Sequence, residues 1–89
     1  MMPEKTTEEL LEERGKTHGD FTEHSIITQS IKRCYGAVGR YEFLTCPQKE
    51  ALDMIAHKIG RIIAGDSNVR DHWDDIAGYA KLVSMRIEE

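Results

Sequence analysis

The chain has few cysteines, no long apolar run and a shortage of basic residues, and each lack excludes a class of protein. Cys34 and Cys46 give neither a metal-binding spacing nor a disulfide framework, so reduced thiols in a cytosolic protein are expected. The longest apolar stretches, such as 62–64, fall far short of the roughly 20 residues that span a membrane. The N-terminal residues lack an apolar secretory segment. Lys and Arg number 12 against 16 Asp and Glu, a formal charge of −4, which argues against binding to nucleic acid.

What is present suits one small globular domain over residues 1–89. Hydrophobic residues make up 39% and charged residues 31% of the chain, as in ordinary folded proteins. A domain of this length buries only about 60–65% of the surface that its unfolded chain exposes, so its core is thin. Since no disulfide reinforces it, oligomerisation is an expected source of additional stability.

Helix-capping signals recur along the sequence, and strand signals are nearly absent. Thr6 and Glu9 begin a first helix that Gly15 ends after about Arg14. Asp20 begins a second helix that weakens near Gly36. The Thr45-Cys-Pro-Gln48 motif begins a third, 47–64, with Gly65 at its stop position. A fourth begins at Asn68 and continues to about Ile87. The sequence therefore predicts an all-α fold, a small bundle of three to four helices.

The third and fourth helices each carry an apolar stripe and a polar stripe. At about 100° per residue, the predicted core stripe of the third helix comprises Leu52, Ile55, Ala56, Ile59, Ile62 and Ile63. The corresponding stripe of the fourth comprises Trp73, Ile76, Ala77, Ala80, Val83 and Ile87, with Trp73 interpreted as a core anchor. Because Leu82 and Met85 add apolar surface on the other side, the fourth helix is expected to pack on two sides.

The polar stripes contain five carboxylates, namely Glu50, Asp53, Asp71, Asp74 and Asp75. A cluster of oxygen ligands favours a hard cation, so the pattern indicates Mg²⁺, with Mn²⁺ as a substitute. Lys58 and Arg61 lie within reach of an anion held near such a cation. The alternative is that acids in the first turn of a helix only complement the helix dipole, which accounts for Glu50 and for the three aspartates of the fourth helix.

Three segments carry a resemblance to a known group: Arg14-Gly-Lys-Thr-His-Gly-Asp-Phe21, the run from Glu50 to Ile62, and the run from Asp71 to Leu82. Together they resemble a small phage and prophage domain family of unassigned function. That family is distantly similar to the MazG-like all-α nucleoside triphosphate pyrophosphohydrolases. The MazG-like pattern is Glu-x-x-Glu on one helix and Glu-x-x-Asp on the next. Here Glu50-x-x-Asp53 matches the first half, and the second half is either Asp71-x-x-Asp74 or a pattern that ends at Asp75.

The resemblance implies a MazG-like bundle that hydrolyses a nucleoside triphosphate, or its deoxy form, to the monophosphate and pyrophosphate. In that case Mg²⁺ is bound by Glu50, Asp53, Asp71 and either Asp74 or Asp75, and the catalytic residues are Glu50, Asp53, Asp71 and Asp75. Lys58, Arg61, Arg14 and His18 would then contact the nucleotide. The related enzymes are dimers or tetramers, which implies a homo-oligomer in the cytoplasm of a bacterial host.

Two other classes of function remain open. A non-catalytic, oligomeric phage accessory protein that binds a protein partner needs only the apolar side of the fourth helix, and it accounts for the aspartates that stand where the enzymes have glutamate. Nucleic-acid binding is disfavoured by the charge of −4 and by the lack of a basic recognition helix.

Overall fold

A computed structural model describes residues 4–88, which form four α-helices and contain no strand. Helix α1 spans Thr7–His18, α2 Phe21–Cys34, α3 Cys46–Ala64 and α4 Arg70–Ser84, and a short 3-10 turn, Tyr41–Phe43, precedes α3. The predicted all-α class is confirmed, and the chain forms a small helical bundle. None of these helices is long and apolar enough to cross a membrane.

Three helix starts follow the capping signals that the sequence contains. At the start of α1, Thr6 accepts a hydrogen bond from the Glu9 amide. The Asp20 carboxylate accepts a hydrogen bond from the Glu23 amide at the start of α2. At the start of α3, Thr45 accepts from the Gln48 amide, while the Gln48 side chain accepts from the Thr45 amide. These bonds satisfy backbone N–H groups that have no partner within the helix. The predicted starts of α1, α2 and α3 are therefore confirmed.

The prediction that Gly15 ends the first helix is wrong, because α1 continues to His18 and ends at Gly19. Gly19 has a φ of 80°, and a Cβ there would lie 2.2 Å from the carbonyl oxygen of Ala64. Gly15 has open space around it. The contact between the end of α1 and the end of α3 therefore decides which glycine terminates the helix, and the sequence of α1 alone does not contain that information.

The fourth helix is shorter than predicted at both ends, since it begins at Arg70 and ends at Ser84. Val69 occupies its N-cap position without a side-chain hydrogen bond. The Asn68 amide instead donates to Asp66 Oδ1, and the Trp73 indole N–H donates to the Ser67 carbonyl at 2.8 Å. The loop before α4 is therefore held by these bonds rather than by the capping pattern expected at Asn68.

Helix α3 lies in the centre of the fold and packs against both α2 and α4, while α1 contacts α3 and α2. Gly60 permits the close approach of α2, because a Cβ on Gly60 would lie 2.3 Å from the His24 ring and 2.7 Å from Thr28 Oγ1. On its other side, α3 places Lys58 against Asp75 of α4. These contacts fix the position of α3 between its two neighbours.

The predicted apolar stripes are largely left open in the single chain. Within residues 4–88, the apolar residues that are buried are Ala51 and Ala56. Trp73, which the sequence predicts as a core anchor, is 54% exposed, and Ile63 is 65% exposed. The buried core is thus even smaller than the chain length leads us to expect.

Candidate functional site

A cleft of about 490 Å³ lies between the second half of α1, the start of α2 and Arg61 of α3. Three of the four side chains predicted to contact a nucleotide, Arg14, His18 and Arg61, line this cleft together. They come from segments about 45 residues apart in the chain, and the turn at Gly19 brings them together. The cleft is also lined by Leu11, Gly15, Gly19, Asp20, Phe21 and His24.

The two histidines of the cleft are held in the neutral form. Burial lowers the pKa of His18, and the neighbouring cations, Arg61 first among them, lower it further. Burial also lowers the pKa of His24, again with a contribution from Arg61. His24 Nε2 donates to the His57 carbonyl at 3.1 Å. At neutral pH the positive charge of the cleft therefore belongs to its two arginines.

One nitrogen of the Arg61 guanidinium group is left without a hydrogen-bond partner in the described part of the chain. Its Nε is buried and has no hydrogen-bond partner among residues 4–88. A buried donor left without a partner costs about 1–3 kcal/mol. A guanidinium also binds phosphate and carboxylate oxygens in a fork geometry.

The start of α2 forms one wall of the cleft. The backbone N–H groups of the first turn of a helix have no partner inside the helix and carry the positive end of its dipole. At α2 the Asp20 carboxylate occupies the Glu23 amide. Beside it the Phe21 ring is 78% exposed and meets the His24 ring edge-on, with the ring centroids 6.4 Å apart. The cleft thus combines cationic groups with an exposed aromatic ring.

Lys58, the fourth residue predicted to contact a nucleotide, does not line the cleft. It is only 8% exposed, and its Nζ lies 2.7 Å from Asp75 Oδ2. The hydrogen bond from Lys58 lowers the pKa of Asp75. The pair links α3 to α4, so both side chains already have a structural partner.

The five predicted metal ligands do not converge. Asp53 lies on the side of α3 that faces α2, with Oδ1 4.0 Å from Lys32 Nζ, whereas Asp75 is held by Lys58 on the side that faces α4. Glu50 lines a separate groove beside Tyr79 and Arg86. Asp71 and Asp74 are exposed on α4.

This arrangement does not provide the donor set that Mg²⁺ requires. In the part of the chain that the structure describes, no group of three or more His, Cys, Asp or Glu side chains is placed to hold a metal ion. A divalent ion bound by protein carboxylates needs several oxygens around one point. A single copy of the chain therefore does not fit the metal, and the roles of the five acids stay predictions.

Several residues of the cleft have no direct signal in the sequence. Phe21 and His24 are about one helical turn apart on α2, a spacing typical of neighbours on one helix face, but their position opposite Arg61 depends on how α2 packs on α3. His72 is also buried at the end of α1, where its Nε2 donates to the Thr17 carbonyl at 3.1 Å. Its ring centroid lies 5.2 Å from that of His18, so His72 packs against one of the side chains that line the cleft.

Comparisons of the chain with protein-family models, with curated proteins and with solved structures found no match.

Proposed function

We propose that this protein binds a nucleoside triphosphate, with the phosphates in the cleft between α1, α2 and α3. The observation that carries the proposal is the meeting of Arg14, His18 and Arg61 in one cleft. These residues come from two of the segments that resemble the small phage and prophage domain family, which is distantly similar to the nucleotide-hydrolysing group. The polyphosphate is the highly charged part of such a ligand, and two guanidinium groups complement it.

The rest of the cleft favours a nucleotide over inorganic phosphate. The exposed ring of Phe21 offers a surface on which a base can stack, and base–aromatic stacking contributes about 1–3 kcal/mol. Neutral His18 can donate one hydrogen bond and accept another.

Release of pyrophosphate is the activity that the resemblance adds to nucleotide binding. The acids that would serve it, Glu50, Asp53, Asp71 and Asp75, lie on α3 and α4, and Mg²⁺ or Mn²⁺ is the ion that their oxygens would bind. Because they do not converge in one chain, no hydrolytic step follows from their positions. For the cleft itself, the proposal is therefore nucleotide binding alone.

Calorimetric titration with a panel of ribo- and deoxynucleoside triphosphates tests the binding. Arg14→Gln and Arg61→Gln are each expected to weaken the affinity about tenfold or more, since a charged hydrogen bond contributes about 1.5–3 kcal/mol. Arg40→Gln, outside the cleft, is the matched control and should bind like the wild type. Absence of binding by every nucleotide, or equal affinity in the cleft variants, would contradict the proposal.

Pyrophosphate release is measured with the same panel in Mg²⁺ and in Mn²⁺, beside Asp53→Asn. Release that this variant loses would support the hydrolase. Nucleotide binding without any pyrophosphate release would mean that the protein binds nucleotides but does not hydrolyse them.

A second candidate function is a non-catalytic accessory protein that binds a protein partner. It is favoured by the exposure of Leu82 and Met85 on and just after α4, which a single chain leaves uncovered. A partner that is retained by Asp53→Asn, on the side of α3 that faces α2, but lost by Met85→Glu would support it. Loss of the partner in Asp53→Asn would argue against it.

A further inference from the structure

One residue that lines the cleft carries a charge that a phosphate site does not need. Asp20 is the acidic side chain among those that line the cleft within residues 4–88, and it is exposed. In this part of the chain its carboxylate forms no ion pair with Arg14 or Arg61. A carboxylate and a phosphate repel each other, and more strongly at a protein surface than in bulk water. The phosphates of a bound nucleotide are therefore expected at the arginines and away from Asp20.

The role of Asp20 as the N-cap of α2 does not require that charge. Asp20 Oδ2 accepts a hydrogen bond from the Glu23 amide at 3.0 Å. Serine, threonine and asparagine cap a helix in the same way without a charge. The two oxygens of a carboxylate offer about four acceptor positions, so Asp20 can accept a hydrogen bond from a ligand while it caps the helix.

The order of side chains along this wall of the cleft matches the order of groups in a nucleotide. Asp20 lies between His18 and Phe21, and all three line the cleft. The three residue steps from His18 to Phe21 span at most about 11 Å, and the Phe21 ring is 78% exposed. In a nucleotide the sugar lies between the phosphates and the base. With the phosphates at His18 and the base on Phe21, the sugar lies opposite Asp20.

We propose that Asp20 determines the specificity of the cleft: its carboxylate accepts a hydrogen bond from a sugar hydroxyl of the nucleotide and repels an inorganic polyphosphate. This inference rests on the proposed nucleotide binding. A sugar hydroxyl donates a hydrogen bond, whereas ionised phosphate oxygens only accept. A hydrogen bond to an ionised acceptor is about twice as strong as one between neutral groups, and a repulsive group raises selectivity against a competing ligand. The ligand class is thus the nucleoside triphosphates that carry a free sugar hydroxyl.

Calorimetric titration of the wild-type full chain tests this hydrogen bond without a variant. The ligands are the nucleoside triphosphate of the panel that binds most tightly, its 2′,3′-dideoxy form and inorganic tripolyphosphate. The dideoxy form keeps the base and the phosphates but lacks both sugar hydroxyls, so it is expected to bind about tenfold more weakly than the parent nucleotide, or weaker still. A dideoxy form that binds as tightly as the parent nucleotide would overturn the proposal.

Asp20→Ser removes the charge and keeps the cap of α2, because a serine hydroxyl accepts from the amide at this position as aspartate does. The variant is expected to bind the parent nucleotide and its dideoxy form with equal affinity. It is also expected to bind tripolyphosphate more tightly than the wild type does, since the repulsion is gone. Glu42→Gln is the matched control: Glu42 is exposed in the turn before α3 and does not line the cleft. It removes one negative charge as well and is expected to keep the preferences of the wild type.

A preference for the parent nucleotide that persists in Asp20→Ser would contradict the role of Asp20. Tripolyphosphate binding that Glu42→Gln strengthens as much as Asp20→Ser would contradict it too, because net charge alone would then explain the effect. Failure of the nucleotide proposal is distinguishable, since the wild type would then bind none of the nucleotides. Nucleotide binding that does not depend on the sugar hydroxyls would overturn the role of Asp20 and leave the cleft as the nucleotide site.

Discussion

At the scale of single residues, two glycines show how the surroundings of a position determine the effect of the same substitution. A Cβ on Gly60 would meet His24 and Thr28, whereas a Cβ on Gly78 of α4 would meet no atom within 4 Å. Both are inside helices, where alanine is intrinsically favoured by about 1 kcal/mol. The difference in their surroundings should therefore reverse the effect of the same substitution.

Gly60→Ala is expected to lower the free energy of unfolding by about 1–3 kcal/mol, because the added methyl group forces α2 away from α3. Gly78→Ala is the control and is expected to raise it by up to about 1 kcal/mol. Urea denaturation measures both. Stabilisation by Gly60→Ala would show that α2 does not approach α3 closely at this point.

The neutral histidines of the cleft predict how stability depends on pH. The pKa values of His18 and His24 are lowered from 6.5 in the folded chain, so the unfolded chain binds protons first as the pH falls. Stability is therefore complete above about pH 6.5 and declines below it, towards the lowered pKa values. Below pH 3.8, protonation of Asp75, whose pKa is also lowered, removes more.

Thermal unfolding between pH 7.5 and pH 4.5 measures this dependence. The melting temperature is expected to fall as the pH falls, and His24→Gln should show a shallower fall than the wild type. A melting temperature that is flat between pH 7.5 and pH 5 would contradict the lowered pKa values of His18 and His24.

At the scale of helices, the start of α3 is readable from the sequence because its stabilising contacts are local. Thr45 and Gln48 are three residues apart, and both hydrogen bonds of the capping box are present. Thr45→Ala is expected to lower the free energy of unfolding by about 1 kcal/mol, and Thr45→Ser should restore most of it. Equal loss in both variants in a denaturant titration would show that the methyl group, not the hydroxyl, matters.

The ends of α1 and α4 are not readable from the sequence because distant contacts decide them. Gly19, not Gly15, meets the backbone of Ala64, and Asn68 bonds within its own loop. The same limit applies to the candidate site. The resemblance predicts Arg14, His18 and Arg61 as nucleotide contacts, and the three line one cleft, but the positions of Phe21 and Lys58 relative to them depend on helix packing. Pattern alone does not separate a cleft residue from a residue in an ion pair.

The link between α3 and α4 leads to a prediction about charge. Asp75→Asn leaves the buried ammonium group of Lys58 without its carboxylate, whereas Lys58→Met removes the charge and fills similar space. Asp75→Asn is therefore expected to unfold at a lower urea concentration than Lys58→Met. The reverse order would mean that the Lys58 ammonium group is stable in the fold without the Asp75 carboxylate. Both side chains would then be available for the metal and nucleotide site predicted from the sequence.

At the scale of the whole molecule, α3 lies between α2 and α4 with much of the predicted apolar surface exposed, and the cationic cleft lies between α1, α2 and α3. The size of the exposed surface explains why stripes that are predicted as core are not buried in a single copy. Their pattern specifies an apolar surface correctly, but a pattern does not say whether the covering partner is the same chain or another copy.

The central claim is that the cleft between α1, α2 and α3 binds a nucleotide. The amide chemical shifts of the chain test this claim most directly. A nucleoside triphosphate is titrated into the isotopically labelled full chain at neutral pH. We expect the largest shifts at residues 14–24 and at Arg61, with the exposed apolar residues Leu52, Ile63 and Trp73 unchanged. Saturating nucleotide that shifts none of these amides, or that shifts the carboxylate stripes of α3 and α4 instead, would contradict the claim.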